Sequence, residues 1–343
     1  MLKSYLSIVF TLCIYLTTNA CVNEYRVLRH VLLNGKKIKL TELLAYEDPD
    51  YEENQIKQLK KDSAELKSIW LKTHHIKAYS DYGAALLYLG RYKEAGDIFS
   101  TIEKIQPNLY ATASNLGTAY ELLGKNDSAY FWIQRSIVLN PESHFGSEWL
   151  HLKILEVKLK GMSYLTSQFM LGTDLGNDTI PKSSLPLEKL TKLRYHITHQ
   201  LDERQVFVKS PEPIVAFLLF QLGNIEAITD DITESLLTYN TAYEYGFRSE
   251  LFAKRYLKFK QIHVKSHTPL PHNTLSDKEL QGIIDNPVPV LPQPVADTLT
   301  QEGASLKTGS DTASDKSSSH LYLLVGAVIA SLVAGYFIFR NRV

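Results

Sequence analysis

The chain has 343 residues, 37 of them basic and 37 acidic. That balance argues against a nucleic-acid binder, which would need a basic face. The two cysteines, Cys13 and Cys21, leave no internal disulfide in a chain cleaved after residue 20, so helix packing must hold the fold.

The N-terminus places Lys3 before an apolar run over residues 5–16, followed by Thr17-Thr18-Asn19-Ala20. Charge, length and the small-residue end predict a signal peptide over 1–20. The run is too short to span a bilayer comfortably. Cleavage after Ala20 makes Cys21 the first mature residue and a candidate for lipidation. Three outcomes stay open: lipid on the Cys21 thiol, cleavage without lipid, and an uncleaved anchor. Ala20 suits a lipidation site, whereas Thr18 stands where such sites use leucine. Residues 21–54 are a lead-in. Its acidic run, Glu47-Asp48-Pro49-Asp50-Tyr51-Glu52-Glu53, is expected to form a solvated turn. Ile56, Leu59, Leu66, Ile69 and Trp70 then predict a capping helix over 55–76.

The next stretch repeats. Gly83, Gly90, Ala95 and Pro107 recur 34 residues later as Gly117, Gly124, Ala129 and Pro141. A fixed period of this size signals stacked helical hairpins, each too small to bury its apolar face alone. Gly83 and Gly117 are expected where two helices touch. Gly90 and Gly124 fit left-handed helix ends. Phe99 and Ile133 serve as knobs, and the prolines stop each second helix. The pattern resembles the tetratricopeptide repeat (TPR), with departures: Tyr82 for a leucine, Ile102 and Ser136 for an alanine, Ala113 for the tryptophan. The units occupy 76–109 and 110–143.

A third unit, 216–249, carries Leu222-Gly223, Asp230, Ser235, Tyr239 and Ala242 at the same internal spacings. It lies out of phase, which leaves an irregular insert at 144–213. Apolar spacing predicts helices over 148–160 and 187–204 around a loop near residues 172–178. These read as degenerate repeat helices, with a separate small domain as the alternative. A helix over 249–261 caps the far end, closing a helical domain at 55–268.

Six of the 13 prolines fall within 269–294, and Ser, Thr, Gly and Asp dominate up to His320. Residues 269–320 therefore read as a linker, stiff and then flexible. Residues 321–339, opening on Leu321 and ending on Phe339, hold no charge. At ~1.5 Å per residue they span roughly 28 Å, enough for a transmembrane helix. Arg340 and Arg342 follow, so residues 340–343 form a cytoplasmic tail and the body lies outside the cytoplasm, periplasmic in a bacterial host. Gly326, Ala330 and Ala334, with Ala327, Ser331 and Gly335, offer a small-residue face that could support a homodimer.

Catalytic signatures are missing. The sequence has no phosphate loop and no nucleophile elbow. His196 and His199, and the set His263, His267 and His272, are read as scattered histidines rather than metal ligands. No catalytic residue, metal or cofactor is assigned. The TPR resemblance implies a concave groove lined by the first helix of each unit. Here those positions are Lys77, Ser80, Asp81, Ala84 and Tyr88, then Ser114, Asn115, Thr118 and Glu121. The resemblance also implies a carboxylate clamp in some members. Asn115 fits one clamp position, but Ser80 and Ala84 replace the Lys and Asn of another.

The expected fold is all-α: a TPR-like α-solenoid of stacked hairpins plus one C-terminal transmembrane helix. The layout also resembles uncharacterised bacterial TPR proteins with a signal peptide and a membrane helix. The expected function is a membrane-anchored scaffold or adaptor that binds a protein or peptide and no nucleic acid. Two alternatives remain: a structural subunit of an envelope complex joined through the membrane helix, and an enzyme or regulatory subunit with its site in the 141–213 insert.

Overall fold

A computed structural model of the chain describes residues 22–25, 32–33, 36–37, 49–229, 231–266 and 269–286. All lie in one compact unit, Met1–Val295. The expected signal peptide, Cys21, the transmembrane segment and the tail lie outside the described residues. No helix among the described residues is long and apolar enough to cross a membrane.

The described fold is all-helical apart from a minimal antiparallel pairing of β1 (Leu32–Leu33) with β2 (Lys36–Lys37). Twelve α-helices follow. They are α1 (Pro49–Thr73), α2 (Ile76–Tyr88), α3 (Tyr92–Ile105), α4 (Tyr110–Leu122), α5 (Asn126–Leu139) and α6 (Glu148–Lys160), then α7 (Ser167–Leu171), α8 (Leu187–Arg204), α9 (Pro213–Ile228), α10 (Ile232–Glu244), α11 (Glu250–Lys265) and α12 (Asp277–Asp285). From α1 to α6, and from α8 to α12, each helix packs on the next in sequence. First helices of successive hairpins also touch, α2 on α4 and α6 on α8.

The glycines explain the hairpin geometry. A Cβ on Gly83 would lie 2.8 Å from Phe99 Cζ, one on Gly117 2.4 Å from Ile133 Cδ1, and one on Gly223 2.4 Å from Tyr239 Cδ1. Phe99, Ile133 and Tyr239 are all fully buried. The same glycine-and-knob contact therefore joins α2 to α3, α4 to α5 and α9 to α10. Gly90 and Gly124 have φ of 74° and 72°. Arg91 N donates to Leu86 O, and Gly90 N to Leu87 O; Lys125 to Tyr120 and Gly124 to Glu121 repeat the pattern. This is the Schellman closure, which needs a left-handed residue and so favours glycine.

The apolar interior is in two main blocks. One joins α1–α4 through residues such as Leu66, Leu86, Phe99 and Leu116. The other joins α6–α12 through Ile154, Ile197, Phe217, Tyr239, Phe252 and Leu280. Between them sits a small cluster of Ala129, Ile133 and Leu155. The 144–213 insert is thus continuous with the helices after it rather than set apart. Its loop is fixed by Arg255, which is 1% exposed and donates to the carbonyls of Leu175, Gly176 and Asp178 and to Asn224 Oδ1.

Three boundaries depart from expectation. The capping helix starts at Pro49, not near residue 55. Proline is tolerated in a first helical turn, and acidic residues favour a helix N-terminus, so the acidic run begins the helix instead of preceding it as a turn. That helix also stops at Thr73, short of 76. The start of the expected linker instead holds α12, whose Leu280 and Ile283 are buried. A capping box launches it: Glu279 N donates to Ser276 Oγ, and Ser276 N to Glu279 Oε2.

Candidate functional site

Asp81 and Asn115 hold equivalent places on α2 and α4, one 34-residue period apart. Both are buried, and residues 22–25 lie across them. Asn115 Oδ1 accepts from Asn23 N at 2.7 Å, while Asn115 Nδ2 donates to Asn23 O at 3.0 Å. One side-chain amide therefore satisfies both backbone groups of one residue, as its paired donor and acceptor allow. Asp81 Oδ1 accepts from Tyr25 N at 2.6 Å. Alternate residues of the segment thus present their backbone to successive repeats.

The side chains of the segment are held as well. Val22 is fully buried. Tyr88 donates its hydroxyl to Glu24 Oε1 at 2.7 Å. Lys77 Nζ stands 5.1 Å from the Tyr25 ring centroid, within cation–π range. Burial, and then the nearby Asp81 carboxylate, push the Tyr25 hydroxyl above its ordinary pKa. Phe207, just beyond α8, stacks on Tyr88 with centroids 5.6 Å apart and so covers one side of the groove.

Four of the expected groove residues (Lys77, Asp81, Tyr88 and Asn115) meet on this segment. Ser80, Ser114 and Thr118 are buried beside them. Glu121 behaves differently. Its carboxylate turns inward, where Arg204 donates from Nη1 at 2.7 Å and Nη2 at 3.2 Å. Lys158 adds a contact at 2.7 Å and His151 one at 2.6 Å. Burial alone would raise the Glu121 carboxyl, but Arg204, His151 and Lys158 overcome it and hold it well below the usual carboxylate range.

The network continues along α6. Glu148 pairs with His144, and His151 Nδ1 lies 3.5 Å from its other oxygen. Burial opposes ionisation of Glu148 as well, and the two histidines outweigh it and keep the carboxyl low. Burial likewise acts to lower the His151 pKa, but Glu121 and then Glu148 lift it above the ordinary value. Tyr110 links this network toward the groove: its hydroxyl is 3.4 Å from His144 Nε2. Burial and the Glu148 charge raise the Tyr110 pKa.

Histidines and acids of the insert therefore do converge, next to a small concavity lined by Thr118, Glu121, His151, Lys158, Arg204 and Phe207. His151 is 1% exposed and wedged between two carboxylates, so the arrangement satisfies charges rather than presenting one to a substrate. His196 is not a scattered surface residue: it is buried and accepts from Trp149 Nε1 at 2.9 Å. His263 is also buried, with Nε2 3.0 Å from Pro269 O. Among the described residues no group of histidines, cysteines and acids could hold a metal ion.

Sequence reasoning missed residues 22–25, Tyr110, His144, Glu148, His151, Arg204 and Phe207. One signal was available: Tyr110 and His144 are one period apart and in contact.

No known family profile matches the chain. A search of curated proteins matches the yeast protein "Essential for maintenance of the cell wall protein 1" from Saccharomyces cerevisiae, 23% identical over 192 residues. The match covers 56% of this chain and 20% of that protein, so the chain spans about a fifth of its relative's length.

Proposed function

We propose that the chain is a TPR-like helical-repeat adaptor, anchored in a membrane through residues 321–339, whose inner groove binds an extended polypeptide outside the cytoplasm. One observation carries the binding half of this reading. Asn115 and Asp81, at equivalent repeat positions, bond to the backbone of an extended segment. Backbone capture with side-chain pockets beside it is a recurring mode of peptide recognition. The recurring glycine-and-knob contacts at Gly83, Gly117 and Gly223 support the TPR assignment.

The anchoring half rests on the sequence: a signal-like N-terminus, an uncharged stretch of bilayer length, and arginines directly after it. The name of the yeast relative speaks of cell-wall maintenance, which agrees with a place at the cell boundary. A second reading, a subunit of an envelope complex assembled through the membrane segment, draws on the small residues of 321–339.

A photo-crosslinker at Thr118 of the full chain, expressed in host membranes, tests the binding half. It should trap a discrete partner, and Asp81→Ala with Asn115→Ala should remove the product. An unchanged product in that double variant rules out the groove. Loss of the product on deleting 321–339, with the deleted form still membrane-bound, favours the second reading.

A further inference from the structure

Residues 22–25 do not belong to the helical framework. That framework begins at Pro49, and Val22 inserts into the apolar block that α1–α4 form with Leu59, Leu66, Leu86, Phe99 and Leu116. Instead the segment sits as a ligand would. Its backbone is read twice, at Asn23 and Tyr25. Three of its side chains are sorted by chemistry: Val22 into a sealed site, Glu24 onto a hydroxyl, Tyr25 beneath an ammonium. Asn115 and Asp81 are 0% and 3% exposed with the segment in place, and an incoming peptide backbone offers the same groups to bond.

We propose that residues 22–25 are a resident pseudo-ligand of the α2–α4 groove, and that the true ligand is an extended peptide of the same chemistry. Its pattern is an apolar residue, a spacer, a carboxylate and an aromatic in succession, and it enters by displacing the resident segment. The proposal rests on the reading of the groove as a peptide site. Tethering gives the resident segment an effective concentration of order millimolar. A partner must therefore outcompete it, which suppresses binding to incidental chain ends.

The ligand runs from α4 to α2 in its N-to-C direction, as Asn23 on Asn115 and Tyr25 on Asp81 dictate. The carboxylate is selected because Tyr88 donates to it. A lysine in its place removes the carboxylate that the Tyr88 hydroxyl donates to.

The test uses the detergent-solubilised full chain and a fluorescent peptide with the sequence of residues 22–28, capped at both ends, read by anisotropy. In the opened variant Asn23→Pro/Tyr25→Pro, the two backbone N–H donors are gone. It should bind the peptide at least about tenfold more tightly than the unaltered chain, because the tethered competitor is removed. Adding Asp81→Ala and Asn115→Ala should cancel the gain. A peptide with lysine at the Glu24 position should bind the opened variant at least about tenfold more weakly, through loss of the charge-assisted bond from Tyr88.

Equal affinity of opened and unaltered chains overturns the pseudo-ligand while leaving the groove as a peptide site. Absence of binding to an opened variant whose circular dichroism is unchanged overturns the groove reading itself. Conversion of a dimer to a monomer in the opened variant assigns the segment to a second copy and refutes occupancy within one chain.

Discussion

Gly117→Ala isolates the contact on which the hairpins depend. Alanine in place of glycine inside a helix gains about 0.8–1 kcal/mol of helix propensity. Here the new Cβ would meet Ile133 Cδ1 at 2.4 Å, Cγ1 at 2.5 Å and the Ile133 backbone nitrogen at 3.2 Å. The side-chain atoms can rotate only into a packed interior, and the backbone cannot yield locally. Overpacking of this kind costs about 1–3 kcal/mol, so the net change is a loss of up to ~2 kcal/mol. Gly96→Ala is the internal control, since its Cβ would meet Ala119 Cβ at an ordinary 3.8 Å. It should stabilise by roughly 0.5–1 kcal/mol. Ile133→Ala alone should cost about 2–5 kcal/mol through its cavity. Combined with Gly117→Ala, the two side-chain clashes disappear, the 3.2 Å approach to the residue-133 nitrogen remains, and the new methyl fills part of that space. The double variant should then be at least ~1 kcal/mol more stable than the sum of its parts predicts. Urea unfolding followed by circular dichroism measures all four. A stabilising Gly117→Ala, or strictly additive costs, would refute the glycine-and-knob account.

Two other buried groups give separate tests. Burial raises the Glu226 carboxyl from 4.5 to about 7, so the folded state binds that proton more tightly than the unfolded one. Its contribution is present below the unfolded pKa and is lost as pH rises through about 7. Glu226→Gln should therefore raise stability by up to about 3 kcal/mol at pH 8 and by little at pH 4, as linkage requires. A pH-independent effect in thermal melts contradicts the assignment. Arg255→Lys keeps the charge but cannot make four bonds at once to the 175–178 carbonyls and Asn224. It should cost about 3 kcal/mol and, by loosening the loop, speed trypsin cleavage at the already exposed Lys182; an unchanged cleavage rate shows that the loop is held by other means.

Much of the helical layout is readable from the residues alone. The expected helices over 148–160 and 187–204 coincide with α6 and α8, because each carries an apolar stripe long enough to outweigh local ambiguity. Gly83, Gly117 and Gly223 are legible for a different reason: a close approach of two helices admits no side chain, so the constraint appears directly as composition. The Asn115 and Asp81 positions follow from the period. What occupies them does not. Residues 22–25 dock through backbone groups that every sequence shares and through side chains more than 50 residues from their partners, so no local pattern announces the contact. The Glu121 network is hidden because Arg204 is 83 residues away in sequence, where no local spacing rule applies. The prolines around α12 obscured it, although Ser276 and Glu279 have the spacing of a capping box.

The division of the apolar interior has an energetic consequence. The α1–α4 block and the α6–α12 block meet through Ala129, Ile133 and Leu155, the Phe207 ring stacked on Tyr88, and a run of charges: Glu121, Glu148, His151 and Arg204. In a linear stack, unfolding parts at the interface with the least to lose. These buried charged contacts respond to acid and little to salt, whereas the flanking apolar contacts respond mainly to temperature and denaturant. The seam therefore acts as an energetic insulator. Ligand bound between α2 and α4 stabilises its own block, and little of that gain reaches α9–α12. Hydrogen exchange with and without bound peptide would show this as protection that fades beyond α6, leaving α9–α12 to open on their own schedule.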